Sequence, residues 1–144
     1  MPGCKGRAAG EGSMAGAVGE RKSIIIVGAS SNRGKFANKA VRAYRDLGWT
    51  VYPVHPSEKV VEGIPCYASV SDIPGTASTM SLYLPPEAGL GVIDHASAKG
   101  VRDIFVNPGA GSPELVERIR ELGMNPIEAC SILAAGKRPQ EYES

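Results

Sequence analysis

The sequence has few of the residues from which disulfide frameworks, metal sites and membrane spans are built. Its 144 residues include three cysteines and two histidines, and no cysteines form a C-x-x-C pair. These numbers argue against a zinc site and against a disulfide framework. The longest apolar runs, such as Ile24 to Val27, are far shorter than a membrane-spanning helix. The first 22 residues also lack the apolar stretch of a signal peptide, so we expect a cytoplasmic protein with no membrane partner.

Positive and negative residues are nearly equal in number, 16 and 15. A formal net charge of +1 gives no reason to expect a nucleic-acid partner. Hydrophobic residues make up 42% and charged residues 22%, as in an ordinary soluble domain, and the length fits one domain. Glycine and proline are abundant, with 18 and 11 residues. Their excess indicates either a loose linker or sharp turns at particular places.

The chain divides into three parts. Residues 1–22 contain six glycines and no apolar periodicity, which is typical of a flexible leader. Residues 23–136 alternate between short β-branched runs and helical apolar spacing, and we expect one folded domain there. Residues 137–144 are polar, and we expect this tail to fray.

The folded part predicts alternating strands and helices. Predicted strands cover residues 23–27, 50–54, 78–84, 102–106 and 125–129, and the first, Ile-rich strand is expected to be buried on both faces. Predicted helices cover residues 35–47 and 87–99, and a third follows an N-cap at Ser112 and ends at Gly123. This alternation of strands and helices predicts a three-layer α/β, Rossmann-like fold, with a five-stranded parallel sheet and helices on both faces. For strands numbered along the chain, the expected order is 3-2-1-4-5.

Ligands of open parallel sheets bind beyond the carboxyl ends of the strands, and that rule selects five loops. The first loop follows a strand and opens a helix, where glycines and free N–H groups suit a phosphate. It matches neither G-x-G-x-x-G nor a Walker loop, so its glycines could also simply form the turn. Its candidate residues are Gly28, Ala29, Ser30, Ser31, Asn32, Arg33, Gly34, Lys35 and Phe36.

The second loop discriminates between nucleotides. Folds that bind NAD place an acid at the end of strand 2 to hold the ribose hydroxyls. Here that place is taken by Val54, His55 and Pro56, and the first acid is Glu58. With Ser57 and Lys59, this loop suits an additional phosphate better than two hydroxyls, although His55 could equally be an ordinary surface residue.

The other three loops contain small or rigid residues. Leu84, Pro85 and Pro86 could form an apolar wall or simply begin the next helix. The candidates of the fourth loop are Asn107, Pro108 and Gly109, which indicate either close approach of a ligand or a tight turn. Cys130 follows the last strand, and it is either an inert buried thiol or a reactive one at the mouth of the crevice.

Several of these segments together resemble a known family. The segments V-G-A-S at 27–30, G-K-F at 34–36, Y-P-V-H-P at 52–56, G-I-P-C-Y at 63–67 and S-D-I-P at 71–74 resemble the small CoA-binding domain proteins, which have a Rossmann-like fold. The stretch from 76 to 101, with Y-L-P-P at 83–86, is similar to the N-terminal CoA-binding domain of the succinyl-CoA synthetase alpha subunit. The likeness covers residues 23 to about 133.

The resemblance implies a ligand and a placement for it. Coenzyme A phosphates would lie in loop 28–36, and the adenosine 3′-phosphate would lie against residues 54–56. Residues 84–86 would pack on the ligand and residues 107–109 would border it. Two departures stand out: the family often has Asn-Arg-Cys after its last strand where this chain has Glu-Ala-Cys at 128–130, and the synthetase's second domain, with its phosphorylated histidine, has no counterpart.

We therefore expect a CoA or acyl-CoA binding protein that is not an enzyme and acts as a carrier, sensor or regulatory module. No nucleophile, base and orienting group can be assembled from the sequence. The alternatives are an NAD(P)-linked oxidoreductase or redox sensor, a protein whose Cys130 forms a mixed disulfide with CoA, and an acyl-CoA synthetase-like subunit that needs a partner chain. A homodimer is a further possibility.

Overall fold

A parallel sheet of five strands forms the centre of the computed structural model, which describes residues 22–142. In chain order the strands are β1 (Ser23–Val27), β2 (Thr50–Val54), β3 (Val60–Val61), β4 (Ile64–Pro65), β5 (Thr79–Leu82), β6 (Asp103–Val106) and β7 (Asn125–Ile127). Strands β3 and β4 form a separate antiparallel pair, and the other five run parallel in the main sheet.

Helices cover both faces of this sheet. They are α1 (Phe36–Asp46), α2 (Pro86–Ala98), α3 (Pro113–Glu121) and α4 (Ser131–Ala134), with 3₁₀ turns at Val70–Asp72 and Pro139–Tyr142. One core cluster contains side chains of α2 and α3, and the other contains side chains of α1 and α4. The predicted three-layer α/β fold is therefore confirmed.

Strand β1 lies at the centre because its side chains suit both cores. Ile24 and Ile26 point to the α1 face, and Ile25 and Val27 point to the opposite face. Successive side chains of a strand alternate between faces, so an unbroken apolar run fills both layers. All four side chains are at most 2% exposed, as predicted.

The predicted strand order is wrong. The observed order is β2-β1-β5-β6-β7, or 2-1-3-4-5 when only the strands of the main sheet are counted. Strand β5 pairs with the free side of β1 and does not lie outside β2. The outer side of β2 is taken instead by Tyr67, which exchanges backbone hydrogen bonds with Pro53 and His55 at 2.9 Å.

Three smaller expectations also change. Phe36 and Leu47, two apolar residues of the predicted helix 35–47, are 55% and 43% exposed because they lie at its two ends. The tail does not fray at Pro139–Tyr142, where Tyr142 is buried.

The predicted leader, up to residue 21, and residues 143–144 lie outside the described residues. No helix within residues 22–142 combines the length and the apolar character that crossing a bilayer requires.

Candidate functional site

The carboxyl ends of the strands form one continuous edge, because neighbouring loops are hydrogen-bonded to each other. The N–H groups of Gly28 and Ala29 donate to the Val54 carbonyl at 2.9 and 3.1 Å. The N–H of Tyr83 donates to Val27 at 3.0 Å, which joins the end of β5 to the end of β1. Three of the five predicted site loops thus meet in the order that the sheet imposes, and the Asn107 side chain extends the row to the fourth and fifth loops.

Gly28 makes the turn out of β1. Its φ is +89°, and a Cβ atom at this position would lie 2.7 Å from the Tyr83 carbonyl oxygen and 3.2 Å from the Leu84 side chain. Only glycine tolerates both the left-handed backbone and the close approach. The first loop therefore lies directly against the loop that follows β5.

The rest of the first loop is folded on its own side chains. Ser30 Oγ accepts a hydrogen bond from the Asn32 N–H, and Asn32 Oδ1 accepts one from the Gly34 N–H, both at 3.0 Å. Among the described residues, the N–H groups of Ser30 and Arg33 donate to no protein acceptor. Unpaired N–H groups in a tight loop are what an anionic oxygen needs.

The helix that follows this loop begins without a negative partner. Its N-cap residue is Lys35, no side chain caps it, and its first turn contains no acid. Helix α3, in contrast, has Ser112 Oγ accepting from the Leu115 N–H at 3.1 Å and Glu114 in its first turn. Because the N-terminus of a helix has a partial positive charge, the start of α1 is the better place for an anion.

Glu58 reaches this loop from the loop after β2. Its Oε2 accepts hydrogen bonds from the N–H of Ser31 at 3.2 Å and from the Ser31 hydroxyl at 3.0 Å. The bond from the backbone N–H, followed by that from the hydroxyl, holds the pKa of the Glu58 carboxyl below its ordinary value. A carboxylate therefore uses donors that the sequence assigned to a phosphate. The first acid after β2 is therefore held by loop 28–36.

His55 shapes the loop from which Glu58 extends. Its Nδ1 accepts from the N–H groups of Ser57 and Glu58 at 3.1 and 3.2 Å. The imidazole thus caps its own turn, and its contact with a ligand stays a prediction. Lys59 is exposed in the same loop, and neither it nor Lys35 has an ion-pair partner within the described part of the chain.

Asn107 ties the ends of three elements together. Its Nδ2 donates to Ser81 Oγ at 2.8 Å and to the Leu82 carbonyl at 2.7 Å, and its Oδ1 accepts from the Ser131 N–H at 2.9 Å. The residue is only 2% exposed. Its side chain therefore holds the carboxyl edge from inside, and contact of Asn107 with a ligand stays a prediction.

A buried network of hydroxyl groups continues from this amide. Ser131 Oγ lies 2.8 Å from Ser81 Oγ and 3.1 Å from the Tyr83 hydroxyl, and the Tyr44 hydroxyl donates to the Ser131 carbonyl at 2.7 Å. Burial raises the pKa of Tyr44 and of Tyr83 to about 12. Both phenols stay protonated at neutral pH and serve as neutral hydrogen-bonding groups.

Cys130 precedes α4, next to this network. It is half-buried and free, and it packs against the core cluster of α1. No side chain of the described residues is hydrogen-bonded to its thiol. Within residues 22–142 no hydrogen-bonded base therefore stands beside it, and its contact with a ligand stays a prediction.

A cavity of about 660 Å³ opens at the far end of the edge. It lies between the ends of β6 and β7 and one side of α3, and its lining includes Asn107, Pro108, Gly109, Arg120 and Glu128. Within the part of the chain that the structure describes, no residue of loop 28–36 lines it. The edge therefore has two regions, an anion-suited loop at β1 and an open groove at β6 and β7.

The predicted site residues fall into three groups by exposure. Exposed along the rim are Ser31, Asn32, Arg33, Gly34, Lys35, Phe36, Pro56, Lys59, Pro85, Pro108 and Gly109. Half-buried are Gly28, Ser30, His55, Leu84, Pro86 and Cys130. Buried are Ala29, Val54 and Asn107, so the first two can offer only backbone atoms to a ligand.

Sequence reasoning missed the polar residues that support the first loop. Asn38 and Arg42 are buried in α1, and Glu62 lies against both Asn38 and Arg33, at 3.0 and 3.2 Å. The signal was present, because Asn38 and Arg42 are four residues apart on one face of a predicted helix. Ser81 and Ser131 had no comparable signal.

Comparison with known proteins identifies the family. A family model described as a CoA binding domain matches residues 22–136. A conserved hypothetical protein from Pyrococcus furiosus is 29% identical, with a TM-score of 0.70 over 80% of this chain and 99% of that one. The match to a dinucleotide-forming acetyl-coenzyme A synthetase from Ca. Korarchaeum cryptofilum has 29% identity and a TM-score of 0.67, over 75% of this chain and 25% of that one.

Among curated proteins, an ADP-forming acetate–CoA ligase from Methanocaldococcus jannaschii is 29% identical over 105 residues, which is 70% of this chain and 15% of the ligase. The chain spans between 12% and 26% of the lengths of four curated relatives that it matches. The match over residues 22–136 includes all five loops of the carboxyl edge. The chain therefore belongs to the CoA-binding domain family.

Proposed function

We propose that this chain binds coenzyme A or an acyl-CoA at the carboxyl edge of the sheet and acts as a non-catalytic carrier, sensor or regulatory module. The observation that carries the proposal is the family match over residues 22–136. The first loop supports it, because the N–H groups of Ser30 and Arg33, which have no acceptor in the described part of the chain, and the uncapped start of α1 suit the phosphates of such a ligand.

The charges around this loop favour the same ligand. Lys35 and Lys59 are exposed without ion-pair partners among the described residues, and Arg33 is half exposed beside Glu62. Coenzyme A has both a diphosphate and a 3′-phosphate, and separate cations on the first and second loops can serve both groups. From there the pantetheine arm can follow Leu84 and Pro86 toward the groove at Asn107.

A thermal-shift titration tests the proposal. Coenzyme A should raise the melting temperature in a concentration-dependent way, because ligand at about 100 times Kd stabilises a folded protein by about 2.7 kcal/mol. NADH serves as the matched nucleotide, and it should neither stabilise the chain nor compete. Stabilisation by NADH alone would favour the oxidoreductase alternative instead.

A second role follows from the relatives. Four of them are acetate–CoA ligases or ligase subunits, and each is several times longer than this chain. The chain could therefore supply the CoA-binding part of a synthetase-like assembly whose other parts lie on a partner chain. Co-purification of a larger subunit from native extracts would support this role, and a chain that binds CoA but elutes alone would favour the independent module.

A further inference from the structure

One face of α1 has polar residues that are nevertheless buried. Asn38 and Arg42 stand four residues apart, with the exposed Asp46 one turn further on, so the three lie above one another along the helix. Asn38 is 0% and Arg42 5% exposed. Burying a guanidinium costs free energy unless its N–H groups find acceptors. The acceptors of Arg42 therefore indicate its role in the structure.

The first set of partners belongs to loop 28–36. Arg42 Nη2 donates to the Arg33 carbonyl at 2.9 Å, and Arg42 Nε donates to Asn38 Oδ1 at 2.8 Å. Asn38 Nδ2 in turn donates to the Ser30 carbonyl at 2.8 Å. Two carbonyl groups of the loop are therefore held against the helix.

Holding these carbonyls also directs the N–H groups. In a trans peptide the C=O and the following N–H point in opposite directions. When the Ser30 carbonyl points to Asn38, the Ser31 N–H must point away from the helix, where Glu58 now accepts it. In the same way the held Arg33 carbonyl directs the Gly34 N–H, which donates to Asn32 Oδ1. Asn38 and Arg42 thus fix the backbone at Ser30 and Arg33, whose own N–H groups have no acceptor among the described residues.

The second partner of Arg42 is the C-terminal segment. The same Nη2 donates to the Tyr142 carbonyl at 2.9 Å, and the guanidinium lies 5.6 Å from the centre of the Tyr142 ring. The Tyr142 hydroxyl donates to Asp46 Oδ2 at 3.1 Å. The Arg42 side chain therefore joins the loop after β1 to a segment that lies 100 positions beyond Arg42 itself.

We propose that Arg42 is a positioning residue and that the turn Pro139–Tyr142 is a strap which, through Arg42, holds loop 28–36 in the conformation that binds an anion. The ligand part of this inference rests on the proposed function, whereas the ordering of the loop does not. Loss of the contacts between Tyr142 and Arg42 would make loop 28–36 less ordered. It would thereby weaken the binding of an anion at that loop without any contact between the anion and Tyr142.

Hydrogen–deuterium exchange on the full chain tests the coupling directly. Tyr142→Ala removes the ring and the hydroxyl while leaving Arg42 in place, and Arg42→Lys keeps the charge but loses the fork that reaches both carbonyls. In both variants, amides of residues 30–35 should exchange about 3- to 30-fold faster, the range of an ordinary coupling energy, while amides of β5 and β6 keep their rates. The CoA dissociation constant should rise over the same range.

Gln140→Ala and Arg118→Lys are the matched controls. The Gln140 side chain is exposed in the same turn, and Arg118 of α3 forms only surface ion pairs among the described residues, with Asp94 and Glu121. Neither substitution should change the exchange rates of the amides of residues 30–35. Where Arg42→Lys fails to fold, Tyr142→Phe, which removes one hydroxyl, should still accelerate the same loop amides by a smaller factor.

Two results would overturn the proposal: unchanged loop exchange in the Tyr142 variants, or an equal acceleration of loop and strand amides, which would mean general destabilisation. If the unaltered chain binds no CoA, the proposed function fails, and the loop exchange still decides whether the strap exists.

Discussion

At the scale of single residues, the turn at Gly28 joins the two loops nearest to the proposed phosphates. Its φ of +89° is matched by the φ of +85° at Gly48, which follows α1. The two glycines differ in their surroundings, since a Cβ at Gly48 would meet nothing within 4 Å. They therefore separate the cost of the backbone conformation from the cost of close contact.

Gly28→Ala should destabilise the chain more than Gly48→Ala. Each alanine incurs a left-handed backbone penalty of about 1 kcal/mol, and only the one at 28 also collides with the Tyr83 carbonyl, which brings its total to about 2–4 kcal/mol. Urea denaturation of both variants measures the difference. Equal losses would mean that the contact between these two loops is not tight in solution.

Glu58 is the second residue whose removal is informative. Glu58→Gln should strengthen CoA binding by about 3- to 10-fold at low salt, because the carboxylate repels a phosphate and competes for the Ser31 donors. The gain should shrink as ionic strength rises. Calorimetric titration measures it, with Glu87→Gln at the start of α2 as a control for the lost charge. Weaker binding in Glu58→Gln would instead make the acid a direct ligand contact.

The buried phenol of Tyr44 should make the free energy of unfolding depend on pH in the alkaline range. Its folded pKa of about 12 lies above the ordinary value of 10, so its stabilising contribution is complete below pH 10. That contribution is lost as the pH rises through 10 to 12. Tyr44→Phe should cost about 1 kcal/mol at pH 7, because the Ser131 carbonyl loses its phenol donor and keeps the bond from the Ala135 N–H, and it should flatten this alkaline loss.

Urea unfolding between pH 7 and 11 checks this prediction. Tyr67→Phe is the control, because its hydroxyl makes no hydrogen bond with a described residue. An identical alkaline loss in Tyr44→Phe and the unaltered chain would contradict the account of Tyr44.

At the scale of elements, the carboxyl edge is held together differently at its two ends. Near β1 and β2 the loops share backbone hydrogen bonds, as between Gly28 and Val54. Near β6 and α4 the loops are joined by one side chain, since Asn107 is hydrogen-bonded to the end of β5 and the start of α4. This end of the edge therefore depends on a single side-chain amide.

Asn107→Ala should therefore lower the free energy of unfolding by about 2–4 kcal/mol, since it leaves the Ser131 N–H and the Leu82 carbonyl buried without partners. Chemical denaturation measures the loss. Asn125→Ala, which removes only an exposed 3.3 Å bond to Asp103, should cost less than about 0.5 kcal/mol. Similar losses for the two variants would contradict the bridging role of Asn107.

At the scale of the whole molecule, local patterns predicted the elements and long-range contacts decided their arrangement. The Ile-rich run of β1 and the glycine stops after the helices act within a few residues, so the five strands and the main helices could be located from sequence. The strand order could not, because it depends on how residues 55–78 pack beside β2, where Tyr67 takes the outer edge.

The candidate site divides in the same way. The five loops follow from the strand ends, which the sequence predicts. The contact between Ser31 and Glu58 joins positions 27 apart, and that between Arg42 and Tyr142 joins positions 100 apart. No local pattern contains either pairing, so the support behind the first loop became visible only in the folded chain.

The central claim is that the carboxyl edge binds coenzyme A, and isothermal titration calorimetry on the full chain tests it most directly. We predict saturable binding of one CoA per chain, with a dissociation constant on the order of micromolar, which weakens in Gly28→Ala and strengthens in Glu58→Gln. The absence of binding at millimolar CoA, or binding that neither substitution alters, would contradict the account.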